Sequence, residues 1–177
     1  MQVARFVSLW LIAAAPVGAQ DLNLRFPLGG GAAMETTLDL AASALASALQ
    51  QSRDEARHAG TLPMPPHVRE ALLGHYPAQL LDSITYRVGL TENATVQSFS
   101  LRYGEATAVT TIDTITFADP WDAENNIALW GHEVKHVEQF QAWGVYGFAR
   151  RYVRDHDAVE REAYAVGAAL KALYGGG

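Results

Sequence analysis

The sequence has no cysteine among its 177 residues. Disulfide bonds and thiolate chemistry are therefore excluded, and any bound metal ion must be held by His, Asp or Glu. A dense basic cluster is also missing, because the richest stretch is "ARRYVR" at 149–154 and the formal net charge is −6. Proteins that bind phosphate backbones need such clusters, so nucleic acid is not expected as a partner.

Beyond the first twenty residues, the sequence has no apolar run long enough to span a bilayer, so we expect no stable membrane span. Those twenty residues, "MQVARFVSLWLIAAAPVGAQ", place Arg5 before an apolar run from Phe6 to Ala15, and small residues follow up to Ala19. This order is typical of a secretory signal peptide. We therefore expect residues 1–19 to be cleaved and the mature protein to be secreted or periplasmic.

The hydrophobic fraction of 49% and charged fraction of 18% are those of a globular chain long enough for one domain. Leucines spaced among alanines predict a helix from Glu35 to about Arg57. The prolines of "AGTLPMPP" end that pattern. We therefore divide the mature chain into a leader with a helix and a Pro-rich linker, residues 20–62, and a domain, residues 63–177. The leader helix could dock on this domain or act as a separate segment, and residues 21–60 could also cover the cleft as a pro-segment.

The domain begins with two short predicted helices, "HVREALLGHY" and "PAQLLDSI", separated at Pro77. Three segments rich in Thr, Val, Ile and aromatic residues follow: "TYRVGL", "VQSFSLRYG" and "AVTTIDTITFAD". They predict a small sheet of about three strands. The rest of the chain is helical in pattern, so the order of elements indicates an α+β fold rather than alternating βαβ units.

The helical part carries clear start and stop signals. "DPWD" offers Asp119 as an N-cap with Pro120 at the first helical position, so we expect a helix to begin there and to carry the sequence H-E-V-K-H at 132–136. Gly144 predicts a break, and Asp155 predicts the cap of a last helix that runs to about Tyr174.

H-E-V-K-H has the spacing of a metal site. Residues i and i+4 share one face of a helix, so His132 and His136 can bind the same ion. Glu133 lies beside them, about 100° around the helix, where it would accept a proton from a metal-bound water rather than bind the metal. The strands before this helix offer an edge for a peptide backbone. The pattern therefore predicts Zn²⁺ and hydrolysis of a peptide or protein substrate.

A catalytic zinc site needs a third protein ligand. "DHDAVEREAYAVGAAL" supplies Glu160 and Glu162 on a later helix, about 200° apart around its axis. Only one of the two can face the metal, and geometry alone does not choose between them.

Several stretches together resemble a known family, the eCIS-core domain. They are "YPAQLLDSITYRVG", "AVTTIDTITFAD", "IALWGHEVKHVEQFQAWGVYGFARRY" and "DAVEREAYA", within roughly residues 63–170. The family is similar to gluzincins such as thermolysin. The resemblance implies a minimal zincin-like fold and a zinc metalloendopeptidase in which Glu160 is the third ligand, with Tyr164 where the family's aspartate would stand. Because members are also linked to secretion and injection machineries, it equally allows a zinc-stabilised accessory module without turnover.

Other residues near the motif receive simpler interpretations. Trp130, Trp143, Val134 and Val137 are expected in the core, and Lys135 and Gln139 in solvent. Four residues are candidates for a donor that stabilises an oxyanion: Tyr146, Tyr152, Arg154 and His156.

Overall fold

The computed structural model describes residues 30–89 and 107–175. The predicted signal peptide and the strand predicted in "VQSFSLRYG" lie outside the described residues and remain predictions. The helices are α1 (Gly30–His58), α2 (Pro66–Leu72), α3 (Ala78–Asp82), α4 (Pro120–Asn125), α5 (Ile127–Arg154) and α6 (His156–Tyr174). The strands are β1 (Leu62–Pro63), β2 (Thr85–Val88), β3 (Ala108–Thr111) and β4 (Thr114–Phe117). No helix among the described residues is long and apolar enough to cross a membrane.

The four strands form one mixed sheet in the order β1-β2-β4-β3. β2 runs parallel to β4, while β1 pairs with β2 and β3 pairs with β4 in antiparallel fashion. The predicted segment "AVTTIDTITFAD" is therefore a hairpin of two strands. The Pro-rich linker also contributes a residue to this sheet, because Leu62 in β1 pairs with Tyr86 in β2. The α+β class expected from the sequence is confirmed.

The main core lies between the sheet and the first half of α5. Trp130, which is fully buried, packs its ring against Phe117 and Tyr86, with centroids 4.7 and 5.3 Å away. Val134 and Val137, one and two turns further along α5, are fully buried as well. These three residues were expected in the core, and that expectation is confirmed. Their burial fixes which side of α5 faces the sheet.

A second core lies under α1. Ala42 and Leu49 of α1 pack with Phe140, Phe148 and Val159, which belong to α5 and α6. The predicted leader helix is thus docked on the helices that follow the sheet. Since these contacts bury apolar surface, α1 contributes to the stability of the same folded unit.

Ion pairs hold both ends of α1. Near its start, Asp39 accepts a hydrogen bond of 2.7 Å from Arg150 of α5. Near its end, Arg53 forms a two-fold hydrogen bond with Asp113, at 2.7 Å to each oxygen, in the turn between β3 and β4. Burial works to raise the pKa of Asp113, but Arg53 and Arg57 hold it below its ordinary value. The carboxylate of Asp113 in this turn is therefore charged and forms ion pairs with Arg53 and Arg57 of α1.

Helix α5 does not begin where the sequence indicated. Asp119 does cap a helix, since its side chain accepts a hydrogen bond of 2.7 Å from the backbone amide of Trp121, but that helix, α4, ends at Asn125. Asn126 then caps α5 through a 3.0 Å bond from the amide of Leu129. The prediction of one continuous helix from Pro120 was wrong, because the Asn126 side chain offers a second start signal.

The helix ends agree better with the sequence. Asp155 caps α6 through a 3.0 Å bond from the amide of Ala158, as predicted. The predicted break at Gly144 is also present, since this residue has φ 70° and ψ 164° within α5. A residue with a Cβ is strained in that backbone conformation, whereas glycine adopts it readily.

Replacing Gly144 with alanine is expected to lower the free energy of unfolding by about 1–3 kcal/mol, the usual cost of holding a side-chain-bearing residue in such a conformation. A Cβ at this position would meet no atom within 4 Å, so the loss would come from the backbone alone. Urea unfolding of the two proteins measures it. Gly74→Ala is the control, because Gly74 is equally uncrowded and its φ is not positive; equal stability of all three proteins would contradict the argument.

Candidate metal centre

Close packing of α5 and α6 brings the predicted site residues together. A Cβ built on Gly131 would lie 1.9 Å from the side chain of Leu170, and one built on Gly167 would lie 3.3 Å from the carbonyl oxygen of Ala128. A side chain at either position would require its neighbours to shift, so the two glycines favour the close approach of the helices. The result is that the start of α6 lies against the face of α5 that carries the two histidines.

His132, His136 and Glu160 form a group that could hold one metal ion. The Nε2 atoms of the two histidines are 3.2 Å apart. Oε2 of Glu160 lies 3.4 Å from Nε2 of His132 and 3.5 Å from Nε2 of His136. Three donor atoms at the corners of a nearly equilateral triangle can all bind a single ion placed above it.

Glu162, the alternative third ligand, lies elsewhere. Its carboxylate accepts a hydrogen bond of 3.1 Å from Nε2 of Gln139 and lies 3.6 Å from Nζ of Lys135. Half of its side-chain surface is exposed, against 20% for Glu160. The rotation of about 200° between the two residues on α6 thus directs Glu160 to the histidines and Glu162 to the rim.

The charges of the cluster support one another. Burial disfavours the ionised form of Glu160, but hydrogen bonds with both histidines hold its pKa well below its ordinary value. Burial also works to lower the pKa of His136, yet the hydrogen bond with Glu160 and its charge raise it to about 9. Without a metal, Glu160 and His136 therefore form a buried ion pair. A metal ion has to displace the proton of His136 in order to bind.

This pair predicts how the metal-free protein responds to pH. The raised pKa of His136 contributes stability that is full below the unfolded value of 6.5 and is lost as the pH rises through about 9. The lowered pKa of Glu160 contributes stability above the unfolded value of 4.5 that is lost on acidification. With chelator present, urea unfolding should show the largest contribution of the pair between pH 4.5 and 6.5. Glu160→Gln should flatten this profile; an unchanged profile in that variant would contradict the assignment.

Glu133 lies beside the metal group without joining it. Its side chain is 4% exposed, and its Oε1 is 4.0 Å from Nε2 of His132. The other oxygen, Oε2, accepts a hydrogen bond of 2.7 Å from the hydroxyl of Thr110. Thr110 belongs to β3, which among the described residues pairs only with β4 and forms an edge of the sheet. One oxygen of Glu133 is thus held by the sheet while the other stays near the metal ligands.

Tyr164 packs on the first histidine. Its ring centroid lies 4.7 Å from that of His132, with the planes at 58°. Burial, and then the negative charges of Glu160 and Glu133, raise the pKa of the Tyr164 hydroxyl above its ordinary value. The Tyr164 hydroxyl is therefore neutral at physiological pH, whereas the aspartate that the family has at the corresponding position would be charged.

Of the four candidate oxyanion donors, only Tyr152 interacts with the metal group. Burial, followed by the charge of Glu160 and a hydrogen bond with it, raises the pKa of Tyr152 above its ordinary value. The other three pair with other side chains: Tyr146 with Asp39, Arg154 with Glu35, and His156 with Asp157.

The structure corrects the expectation for Gln139, which was predicted to be in solvent. Its side chain is only 2% exposed, and its Oε1 lies 2.9 Å from Nδ1 of His136. The sequence did contain a signal, because Gln139 follows His132 by seven residues and so shares the ligand face of α5. Lys135 is partly buried and pairs with Glu138 at 2.7 Å. Thr110 was missed as well, and its position in a strand carries no comparable signal.

Comparison with known proteins identifies one family. Residues 63–144 match the family model of the eCIS core domain. No curated protein matches the chain, and no solved structure does. The matched segment contains His132, Glu133 and His136, but it ends before Glu160. The resemblance to the eCIS core domain expected from the sequence is therefore confirmed for residues 63–144.

Proposed function

We propose that this protein is a zinc metallopeptidase of minimal zincin-like architecture. In this proposal, His132, His136 and Glu160 hold Zn²⁺, and Glu133 is the general base of peptide-bond hydrolysis. The observation that carries it is the spacing of the three donor atoms, 3.2, 3.4 and 3.5 Å apart. Ligands about 2.0–2.1 Å from a tetrahedral Zn²⁺ lie about 3.3–3.4 Å from one another. The donor set thus fits zinc before any ion is bound.

The number of ligands supports catalysis rather than a purely structural site. Among the described residues, the metal group contains three protein ligands, two histidines and one glutamate. This is the composition of catalytic zinc sites, which keep a fourth position for water, whereas structural sites have four protein ligands. When bound, zinc would acidify that water and polarise the substrate carbonyl.

Glu133 supplies the proton transfers that hydrolysis requires. Its Oε1, near the metal ligands, accepts a proton as the water oxygen attacks the carbonyl carbon of the peptide. The same carboxyl group then gives that proton to the amide nitrogen as the C–N bond breaks, so Glu133 ends each cycle ionised. The bond of Thr110 to Oε2 holds the carboxylate in one orientation throughout. The nearby edge strand β3 offers backbone groups along which an extended peptide can align.

Removal and return of the metal test this function. The purified protein should contain about one zinc per chain, cleave an unstructured protein such as casein or a peptide library, lose the activity with a chelator and regain it with added Zn²⁺. A protein with a full complement of zinc and no cleavage of any peptide in the library would reject the peptidase.

Tyr164 favours a second candidate, a zinc-stabilised accessory module without turnover. A neutral aromatic ring lies against His132, whereas a carboxylate beside a ligand histidine would raise its basicity. In that case added zinc would raise the melting temperature of the protein, and no hydrolysis would accompany it. The same chelation experiment therefore separates the two candidates.

A further inference from the structure

Gln139 is a buried polar side chain next to the metal group, and the proposed reaction gives it no role. It lies on α5 one turn beyond His136 and is only 2% exposed. A primary amide in such a place costs free energy unless its groups have partners, and a hydrophobic side chain would fill the space without that cost.

The partners of Gln139 determine the orientation of its amide. Its Nε2 lies 3.0 Å from the carbonyl oxygen of Val159 and 3.1 Å from Oε2 of Glu162. A backbone carbonyl oxygen and a carboxylate oxygen are hydrogen-bond acceptors, so the NH₂ group must face them. The carbonyl Oε1 must then face Nδ1 of His136, at 2.9 Å. A flipped amide would place the NH₂ group against Nδ1 and the oxygen against two acceptors.

We propose that Gln139 is a positioning residue that fixes the metal-binding tautomer of His136 and ties the helix of Glu160 to it. This inference rests on the proposed metal site. Because Oε1 accepts, Nδ1 of His136 must carry a proton, and the neutral imidazole then has its lone pair on Nε2. Nε2 is the atom that lies 3.2 Å from Nε2 of His132 and 3.5 Å from Oε2 of Glu160. The amide thus presents the correct nitrogen to the metal.

The same amide also acts on the third ligand. Val159, whose carbonyl accepts from Nε2, directly precedes Glu160 in α6. One side chain therefore holds a ligand histidine on α5 and the backbone next to the ligand carboxylate on α6. Partners of ligand histidines typically contribute 10- to 100-fold to metal affinity. We expect Gln139 to fall in that range because it restrains two of the three ligands.

Two variants separate positioning from simple packing. In Gln139→Leu, an apolar side chain of similar size fills the same space but offers no acceptor for Nδ1 and no donor for Val159. This variant should bind Zn²⁺ about 10- to 100-fold more weakly than the wild type. The double variant Gln139→Glu with Glu162→Gln keeps an oxygen acceptor for Nδ1 and exchanges the amide and the carboxylate between the two positions. Like Gln139→Leu, it has no donor for the carbonyl of Val159, so the two variants differ in the acceptor for Nδ1. The double variant should retain markedly more affinity than Gln139→Leu. Competition with a chromophoric chelator measures all affinities.

The matched control is Gln141→Leu on the same helix. Gln141 is exposed and its Nε2 makes a long contact of 3.4 Å with Ser83, so its loss should leave zinc affinity unchanged. Equal affinities of Gln139→Leu and the wild type would overturn the proposal. So would equal losses in Gln139→Leu and the double variant, since the acceptor for Nδ1 of His136 would then make no difference to zinc affinity.

The tautomer of His136 can also be measured in the wild-type protein, where the result does not depend on whether a variant folds. In ¹⁵N NMR spectra of the zinc-loaded protein, His136 should show a protonated Nδ1, slow to exchange with water, and a metal-bound Nε2. Metal bound through Nδ1 would overturn the role of Gln139 while leaving zinc binding and the proposed peptidase intact. A wild type that binds no zinc would instead reject the proposed function itself.

Discussion

Glu133→Gln is expected to lower kcat for peptide hydrolysis by about 10²- to 10⁴-fold, the usual contribution of a general base. Glutamine has the same shape but cannot accept a proton from water at neutral pH. It can still form a hydrogen bond with Thr110, so the local structure should persist. Zinc affinity should remain close to that of the wild type, because Glu133 is not among the three ligands. Peptide cleavage and zinc titration, measured on the same preparation, provide the two readouts.

The matched control for this experiment is Glu138→Gln. Glu138 lies on the same helix, but it is partly exposed and pairs with Lys135. Its loss should leave cleavage within the range of the wild type. Full activity in Glu133→Gln would contradict the mechanism, whatever the zinc content.

Glu160→Gln should weaken Zn²⁺ binding by more than about 100-fold, since losing a partner of a ligand already costs 10- to 100-fold. The amide oxygen is a poorer donor than a carboxylate, and the charge that balances two histidines and a divalent ion disappears. Cleavage should fall together with the bound metal. Titration of the metal-free variant with Zn²⁺ gives the affinity.

Glu162→Gln tests whether the choice between the two glutamates is correct. This residue contacts Gln139 and Lys135 at the rim, so its replacement should affect zinc affinity far less than Glu160→Gln. Equal losses in both variants would show that the start of α6 as a whole, rather than the carboxylate of Glu160, determines binding. The third ligand would then have to be sought elsewhere.

Local signals in the sequence predicted much of the helical part. Asp155 and Gly144 have the roles that their residue types indicate, because a cap and a left-handed backbone depend on neighbours within one turn. The i and i+4 spacing of His132 and His136 likewise follows from helix geometry, and their Nε2 atoms do converge. Asn126 shows where such reasoning fails, since two good caps seven residues apart compete and the sequence does not state which one starts the long helix.

Contacts between distant segments were harder to predict. The choice of Glu160 over Glu162 depends on the rotation of α6 about its axis, and α6 packs closely on α5 where Gly131 meets Leu170 and Gly167 meets Ala128. The hydrogen bonds of Gln139 depend on the same packing, because Val159 and Glu162 both belong to α6. Thr110 reaches Glu133 from 23 residues earlier in the chain through the register of the hairpin. These positions follow from tertiary structure and have no local pattern.

The family match ends at Gly144, before the start of α6 and Glu160. A fragment cut to residues 63–144 would keep two imidazole ligands and Glu133 but would lose Glu160, the carbonyl partner of Gln139 and the apolar cover that α1 and α6 provide. Such a fragment would offer a metal ion two nitrogen ligands only, and Phe140 would lose its partners Phe148 and Val159. The family match therefore does not contain the whole proposed site, and expression of the segment alone would test neither the proposed metal site nor the proposed chemistry.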